Sequence, residues 1–261
     1  MSGTPKLVDT RTAQWVIDRL GWIIETFGPE KPIASTELVL PLPGYFSFDA
    51  DTPEARAEQI FRRTAVYCGV ADWEVDLTPF DRNRPHEVGT FWHLRPAADA
   101  PAGTFSLSPD SNRPQISYAS DLIETPVVLI ATFAHEISHL VLMTRERPDW
   151  MGEAEEELVT DLFAVYLGFG VFLANSAFQF DQSSSFDRQG WSSSRLGYLS
   201  EDTLLFAIAM FLAVQRQSEI EVTALKPGLR KRFDKARKQV AALSTEVTEL
   251  RNLDAAAQRP D

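Results

Sequence analysis

The residues best suited to chemistry are the two histidines of His135-Glu136-Ile137-Ser138-His139, an H-E-x-x-H motif. Histidines four positions apart share one face of an α-helix, so both rings can bind one Zn²⁺ at about 2.0–2.1 Å. Glu136 lies on the adjoining strip, from which its carboxylate can act as general base toward water on the metal. The alternative is a pair of core histidines satisfied by backbone or carboxylate partners. Because the motif holds two of the chain's four histidines, we favour the zinc site.

The acidic segment that follows offers the third protein ligand that a catalytic zinc site needs. Glu157 and Asp161 lie four residues apart in this segment, on one helix face. We predict Glu157 as the ligand, with Glu153 and Glu156 as alternatives and a solvated acidic run as the non-functional interpretation. Asp161 interrupts an apolar run, where an unpaired carboxylate is costly to bury. We therefore expect Asp161 to accept a hydrogen bond from the free ring N–H of a zinc-bound histidine.

HEISH followed by ELVTD resembles the H-E-x-x-H and E-x-x-x-D pair of gluzincin zinc metallopeptidases, the thermolysin and neprilysin type. The resemblance is limited to residues 125–170. It implies zinc ligation by His135, His139 and Glu157, a general-base role for Glu136, and an orienting role for Asp161 beside a histidine.

The thermolysin group also has a downstream histidine that stabilises the transition-state oxyanion, but this chain has no histidine after His139. The residues that could replace it are Tyr198, Tyr166, Arg188, Arg195, His86 and His93. Such proteins bind substrate along an edge strand just before the active-site helix. Residues 114–120 occupy that place in the chain, so we expect them to form the edge strand that pairs with an extended peptide.

The hydrophobic periodicity predicts an α+β fold, and the resemblance implies that this fold is zincin-like. It has a small mixed sheet with flanking helices, an active-site helix, a backing glutamate helix and a helical C-terminal part. The predicted helices are 12–27, 52–69, 126–144, 153–167 and 201–217. The predicted strands are 73–80, 89–94, 104–108 and 114–120. The Ser-rich stretch 181–197 lacks periodicity, and we interpret it as a surface loop, with a mobile lid as the alternative.

The domain prediction is one zincin-like domain over 1–225, a C-terminal helix over 226–253 and a disordered tail over 254–261. The helix is predicted from apolar residues that alternate at spacings of four and three. These residues are Leu229, Phe233, Ala236, Val240, Leu243, Val247 and Leu250, which we call the heptad seam. We expect the seam to pack against this chain's own body, with self-association through the helix as the alternative. The basic first half of the helix is interpreted as a solvated face.

Charge and composition narrow the class of partner. The net charge of −12 argues against binding to nucleic acid. The longest apolar stretch, Leu162–Ala174, is too short to span a bilayer, so we expect no membrane partner. The first residues lack the pattern of a signal peptide, and the single cysteine, Cys68, has an apolar setting typical of a buried residue. We therefore expect a cytoplasmic protein.

The expected function is zinc-dependent hydrolysis of a peptide or amide bond, with zinc as cofactor and a peptide or protein as substrate. The alternative is a metallopeptidase-like module that binds or regulates a protein partner with little or no hydrolytic activity. The missing downstream histidine and the heptad seam favour that alternative. The intact Glu136 opposes it, because a purely structural zinc site needs no general base.

Overall fold

The computed structural model describes residues 6–81, 102–107, 113–182, 198–217 and 222–259, and in these it has eight α-helices and a three-stranded mixed sheet. The helices are α1 Thr10–Phe27, α2 Pro53–Cys68, α3 Pro126–Leu142, α4 Glu153–Tyr166, α5 Gly170–Gln182, α6 Glu201–Val214, α7 Pro227–Ala241 and α8 Ser244–Ala257. The strands are β1 Asp76–Phe80, β2 Gly103–Leu107 and β3 Pro114–Ala119. The predicted α+β class is confirmed. The predicted strand 89–94 and most of the Ser-rich stretch 181–197 lie outside the described residues.

Local signals explain where the predicted helices begin. Asp9 accepts a hydrogen bond from the Thr12 amide at the start of α1, and Ser200 accepts one from the Thr203 amide at the start of α6. Proline occupies the first turn of α2 and of α3, where its missing N–H costs nothing. The helix over Pro126–Leu142, which carries the H-E-x-x-H motif, therefore forms where the sequence predicts it.

The sheet has the strand order β1-β3-β2, with β3 parallel to β1 and antiparallel to β2. The prediction that residues 114–120 form the edge strand is therefore wrong, because both sides of β3 are paired within the sheet. Of the described strands, β2 is the one beside α3 that pairs on one side only. Ile116 and Tyr118 of β3 are buried, and the Tyr118 ring meets Phe133 of α3 edge-on at 5.5 Å. The apolar face of the sheet thus packs against the motif helix.

Helix α3 lies at the centre of the core, in contact with α2, α4, α5 and the sheet. The apolar run Leu162–Ala174 is buried as expected, but it is divided between α4 and α5 by Gly168, which has a φ of 96°. A side chain at Gly168 would collide with the Glu37 carbonyl, so glycine is needed for this close approach. None of the helices in the described part of the chain combines the length and the hydropathy needed to span a bilayer.

The C-terminal region forms two helices, α7 and α8, where the sequence predicts one helix over 226–253. The chain turns at Ala242 and Leu243, so that α7 packs on α6 while α8 packs on α1 and α6. A single straight helix of this length would extend more than about 40 Å and carry half of its apolar side chains away from the body. Six of the seven seam residues are buried in the chain's own core, and Leu243 is half-buried. The expected packing of the heptad seam against the chain's own body is what the structure has.

The predicted disordered tail over 254–261 is wrong in its first part, because α8 continues to Ala257. The Asp254 side chain is buried and accepts hydrogen bonds from the backbone amides of Ile33 and Ala34, at 2.8 and 3.3 Å. These bonds connect the end of α8 to the segment after α1. The polar composition of residues 254–261 gives no sign of this long-range contact.

Cys68, at the end of α2, is buried as predicted. Burial raises the pKa of its thiol to about 12. Because the thiolate is the reactive form, Cys68 is not a nucleophile at neutral pH.

Candidate metal centre

The packing of α3 against α4 brings His135, His139 and Glu157 together. The Nε2 atoms of the two histidines are 3.1 Å apart. Oε2 of Glu157 lies 3.3 Å from Nε2 of His135 and 3.5 Å from Nε2 of His139. Among the described residues these three side chains form a group that could hold a metal ion, and they are the three that the sequence predicts.

The other nitrogen of His135 is held by Asp161. Nδ1 of His135 lies 2.9 Å from Oδ1 of Asp161, and both side chains are buried. An ionised carboxylate only accepts hydrogen bonds, so Nδ1 carries a proton, and in neutral His135 the lone pair of Nε2 faces the centre. The structure therefore places Asp161 beside His135, a histidine of the predicted ligand set.

The other nitrogen of His139 faces Thr160, a residue that sequence analysis missed. Oγ1 of Thr160 lies 3.3 Å from Nδ1 of His139 and donates its own hydrogen to the Glu156 carbonyl at 2.8 Å. With that hydrogen committed, the hydroxyl oxygen accepts from Nδ1–H of His139. Thr160 is buried beside Asp161, and these two polar residues interrupt an apolar stretch of α4, which is the signal that could have identified Thr160.

When both histidines are neutral, with the proton of each on Nδ1, three electron-pair donors face one another across the centre. Four ligands at about 2.0–2.1 Å from a tetrahedral ion lie about 3.3–3.4 Å apart. The three distances between Nε2 of His135, Nε2 of His139 and Oε2 of Glu157 range from 3.1 to 3.5 Å. Such converging acceptors repel one another unless a cation sits among them, so the group fits a metal ion.

The metal-free charges of the centre agree with this need for a cation. Burial opposes the protonation of His135, but hydrogen bonds and charges from Asp161 and Glu157 outweigh it and raise the pKa of His135 well above 6.5. Burial also opposes ionisation of Glu157, yet the hydrogen bonds from His135 and His139 hold the pKa of its carboxyl far below 4.5. Without a metal ion, a proton on His135 serves as the cation.

Glu136 lies beside this group without belonging to it. Its side chain is 5% exposed, and burial is the main cause that raises its pKa above 4.5, although both histidines lower it. A Cβ at Gly103 of β2 would lie 3.1 Å from Oε1 of Glu136, so the edge strand passes directly beside the carboxylate. Glu136 is therefore buried against β2 and is not a member of the three-residue group.

The remaining acidic residues of α4 are engaged elsewhere or lie in solvent. Glu155 accepts hydrogen bonds from the Trp15 indole and from Arg19, both at 2.7 Å. Glu156 pairs with Arg147 at 3.0 Å, and Glu153 is exposed. The alternative ligands Glu153 and Glu156 are thus not part of the group that Glu157 completes.

Of the six candidates for the oxyanion position, Tyr198 is the one that the described residues bring to the centre. The centroid of its ring lies 5.2 Å from that of His135. Burial raises the pKa of Tyr198 well above 10, as do the charges of Glu157, Glu136 and Asp161. Tyr166 is not at the centre, because its hydroxyl donates to the Lys31 carbonyl. The candidates His86, His93, Arg188 and Arg195 lie outside the described residues.

Comparison of the chain with protein-family models, with curated proteins and with solved structures finds no match. The chemistry of the centre is therefore the basis for assigning a function.

Proposed function

We propose that this protein is a zinc-dependent hydrolase of peptide or amide bonds, built on a zincin-like fold with a gluzincin-type ligand set. The observation that carries the proposal is the convergence of Nε2 of His135, Nε2 of His139 and Oε2 of Glu157 on one point, with Glu136 adjacent. Three protein ligands leave the fourth position of a tetrahedral ion for water or substrate, which is the pattern of catalytic zinc sites.

The spacing of the ligand atoms supports zinc over a six-coordinate metal. Two histidines and a carboxylate also bind non-haem iron, with ligands about 90° apart. At bond lengths near 2.1 Å, ligand atoms at right angles lie about 3.0 Å from one another. Two of the distances here, 3.3 and 3.5 Å, are closer to the tetrahedral spacing, and the third, 3.1 Å, is closer to the right-angled spacing. We therefore propose Zn²⁺ as the cofactor.

When bound, zinc polarises the carbonyl of the scissile bond and acidifies water. Glu136 accepts a proton from the attacking water, whose oxygen forms a bond to the carbonyl carbon. Glu136 then gives this proton to the leaving nitrogen as the carbon–nitrogen bond breaks, so the products are a carboxylic acid and an amine. The raised pKa of Glu136 suits both proton transfers, since a residue that acts first as base and then as acid is most effective when its pKa is near the working pH.

The position of β2 supports an extended peptide or protein as the substrate. Strand β2 pairs with β3 on one side, and Gly103 at its start lies against Glu136. A substrate strand added to the side of β2 that no described strand occupies would run past the general base, held by backbone hydrogen bonds. The role first expected of residues 114–120 is therefore assigned to Gly103–Leu107.

The alternative, a regulatory module without activity, loses one of its two supports in this structure. The heptad seam, which an unknown partner would have covered, is buried by the chain's own helices. The missing downstream histidine is its remaining support.

The experiment that tests the proposal compares wild type, Glu136→Gln and Glu153→Gln on a library of peptides from a digested proteome, with cleavage followed by mass spectrometry. Wild type should cleave, and Glu136→Gln should lose at least about 100-fold in rate while keeping its zinc. Glu153→Gln is the matched control, because Glu153 is an exposed residue at the start of α4. Full activity in the Glu136→Gln variant, or no cleavage by zinc-loaded wild type, would contradict the proposal.

A further inference from the structure

The Asp161 carboxylate accepts hydrogen bonds from two different parts of the chain. Its Oδ1 is 2.9 Å from Nδ1 of His135 on α3, and its Oδ2 accepts from the backbone amide of Leu199 at 2.8 Å. Asp161 is 4% exposed, so both bonds form away from solvent. The residue therefore connects the metal centre to the segment that leads into α6.

That segment is fixed on both sides of the Leu199 amide. Ser200 caps α6 by accepting from the Thr203 amide, so the chain direction after Leu199 is set by the helix. Tyr198 stands immediately before Leu199, and its ring packs against the ring of His135 with centroids 5.2 Å apart. The bond from Leu199 to Asp161 thus determines how closely the Tyr198 ring approaches the metal ligands.

We propose that Tyr198 is the oxyanion-stabilising residue of this site, and that Asp161 positions it through the Leu199 amide while orienting His135. This inference rests on the proposed function. In this proposal the Asp161 carboxylate fixes the positions of both the metal ligand His135 and the hydrogen-bond donor Tyr198.

The chemistry requires a neutral donor at this point. Attack by water turns the carbonyl oxygen of the substrate into an oxyanion, which a phenol O–H stabilises by donating a hydrogen bond without transferring its proton. A phenol is protonated at neutral pH, because its ordinary pKa is about 10. The Tyr198 ring packs against the ring of His135, so the phenol belongs to a residue next to the proposed ligands.

Inorganic phosphate is a tetrahedral anion that tests the donor without a known substrate. In protein loaded with Co²⁺, the visible absorption spectrum reports metal occupancy and changes when an anion binds the metal. Tyr198→Phe keeps the ring and removes the hydroxyl, so it should bind Co²⁺ as wild type does and bind phosphate roughly 10- to 100-fold more weakly. Tyr67→Phe, which loses a phenol hydroxyl that donates to the Tyr45 carbonyl and accepts from Arg63, should match wild type.

The positioning role of Asp161 is tested by a double-mutant cycle in the same assay. Asparagine offers one acceptor oxygen, so Asp161→Asn satisfies one of the two donors, His135 or Leu199, and leaves the other unpaired. At saturating Co²⁺, Asp161→Asn should weaken phosphate binding in wild type and have little further effect in Tyr198→Phe.

Equal phosphate affinity in wild type and Tyr198→Phe, or a wild-type spectrum that does not respond to phosphate, overturns the role of Tyr198. Additive effects of the two substitutions overturn the link through Asp161. Failure of wild type to bind Co²⁺ or Zn²⁺ contradicts the proposed function itself, so the two failures are distinguishable.

Discussion

The hydroxyl of Thr160 accepts a hydrogen bond from Nδ1 of His139 at 3.3 Å, because its own hydrogen is donated to the Glu156 carbonyl. His139 is thereby held in the tautomer that turns Nε2 toward Nε2 of His135 and Oε2 of Glu157. A threonine on the glutamate helix does for one histidine what Asp161 does for the other.

Thr160→Val should weaken zinc affinity by roughly 10- to 100-fold, the usual cost of losing a group that orients a metal ligand. Valine is nearly isosteric, so the fold should be retained. Competition with a chromophoric chelator measures the affinity. Thr64→Val is the matched control, since Thr64 is also buried and donates to the carbonyl of Ile60 within its helix. Equal zinc affinities in the two variants would show that Thr160 does not hold His139.

Gly103→Ala should disturb the general base while leaving the metal in place. The added Cβ would lie 2.6 Å from Cγ2 of Thr132 and 3.1 Å from Oε1 of Glu136, so the strand must move or both side chains must give way. We expect a loss of about tenfold or more in peptide cleavage with unchanged zinc content.

Thr132→Ser supplies the rescue for this prediction. Serine removes Cγ2 and keeps the hydroxyl that donates to the Val128 carbonyl. The double variant Gly103→Ala, Thr132→Ser should therefore regain part of the activity and of the melting temperature. If Gly103→Ala alone behaves as wild type, β2 does not constrain Glu136.

Much of the centre could be predicted from sequence, because its donors lie on two consecutive helices. The four-residue spacing of His135 and His139 fixes their common face, and Asp161 is conspicuous as a carboxylate in an apolar run. Tyr198 could not be selected from the six candidates, since the Ser-rich stretch before it has no periodicity that would fix its position. Thr160 is harder to select than Asp161, because threonine is common in helices without any hydrogen bond to a metal ligand.

The errors concern relationships between distant parts of the chain. The order β1-β3-β2 depends on which strands pair, and periodicity within β3 carries no information about its neighbours. The heptad seam keeps its phase across the turn at Ala242 and Leu243, so the pattern predicts one helix although the chain makes two. The sequence around Asp254 is typical of a polar tail, whereas in the fold its carboxylate accepts hydrogen bonds from the distant amides of Ile33 and Ala34.

Val247→Asp should lower the free energy of unfolding by about 2–4 kcal/mol, because it introduces a charge into the core between α8 and the body. Thr248→Asp, one residue further and exposed, should have little effect. Urea denaturation measures both. Size-exclusion chromatography should show the same oligomeric state for wild type and Val247→Asp, since the seam is covered within the chain. A dimeric wild type that Val247→Asp converts to a stable monomer would contradict this packing.

The stability of the metal-free protein should fall as pH rises above about 6.5. The pKa of His135 is raised in the folded state, so between 6.5 and that higher value the folded chain binds more protons than the unfolded chain. The resulting stabilisation is full below pH 6.5 and is lost as pH rises through the folded pKa. The pKa of Glu157 is lowered, so its contribution is present above pH 4.5 and is lost only in acid.

Zinc should reverse this trend, because the metal replaces the proton at Nε2 of His135 and competes better as pH rises. Thermal melts at pH 6, 7 and 8 with a chelator or with zinc measure the effect. The rise in melting temperature caused by zinc should increase with pH. A zinc effect that is independent of pH would mean that His135 does not exchange a proton for the metal.

The most direct test of the metal centre is the zinc content of purified protein, measured by inductively coupled plasma mass spectrometry beside the double variant His135→Ala, His139→Ala. Wild type should hold about one zinc per chain, and the double variant should hold none after the same dialysis. Wild type without zinc after loading, or equal zinc in the two proteins, would contradict the site built from His135, His139 and Glu157.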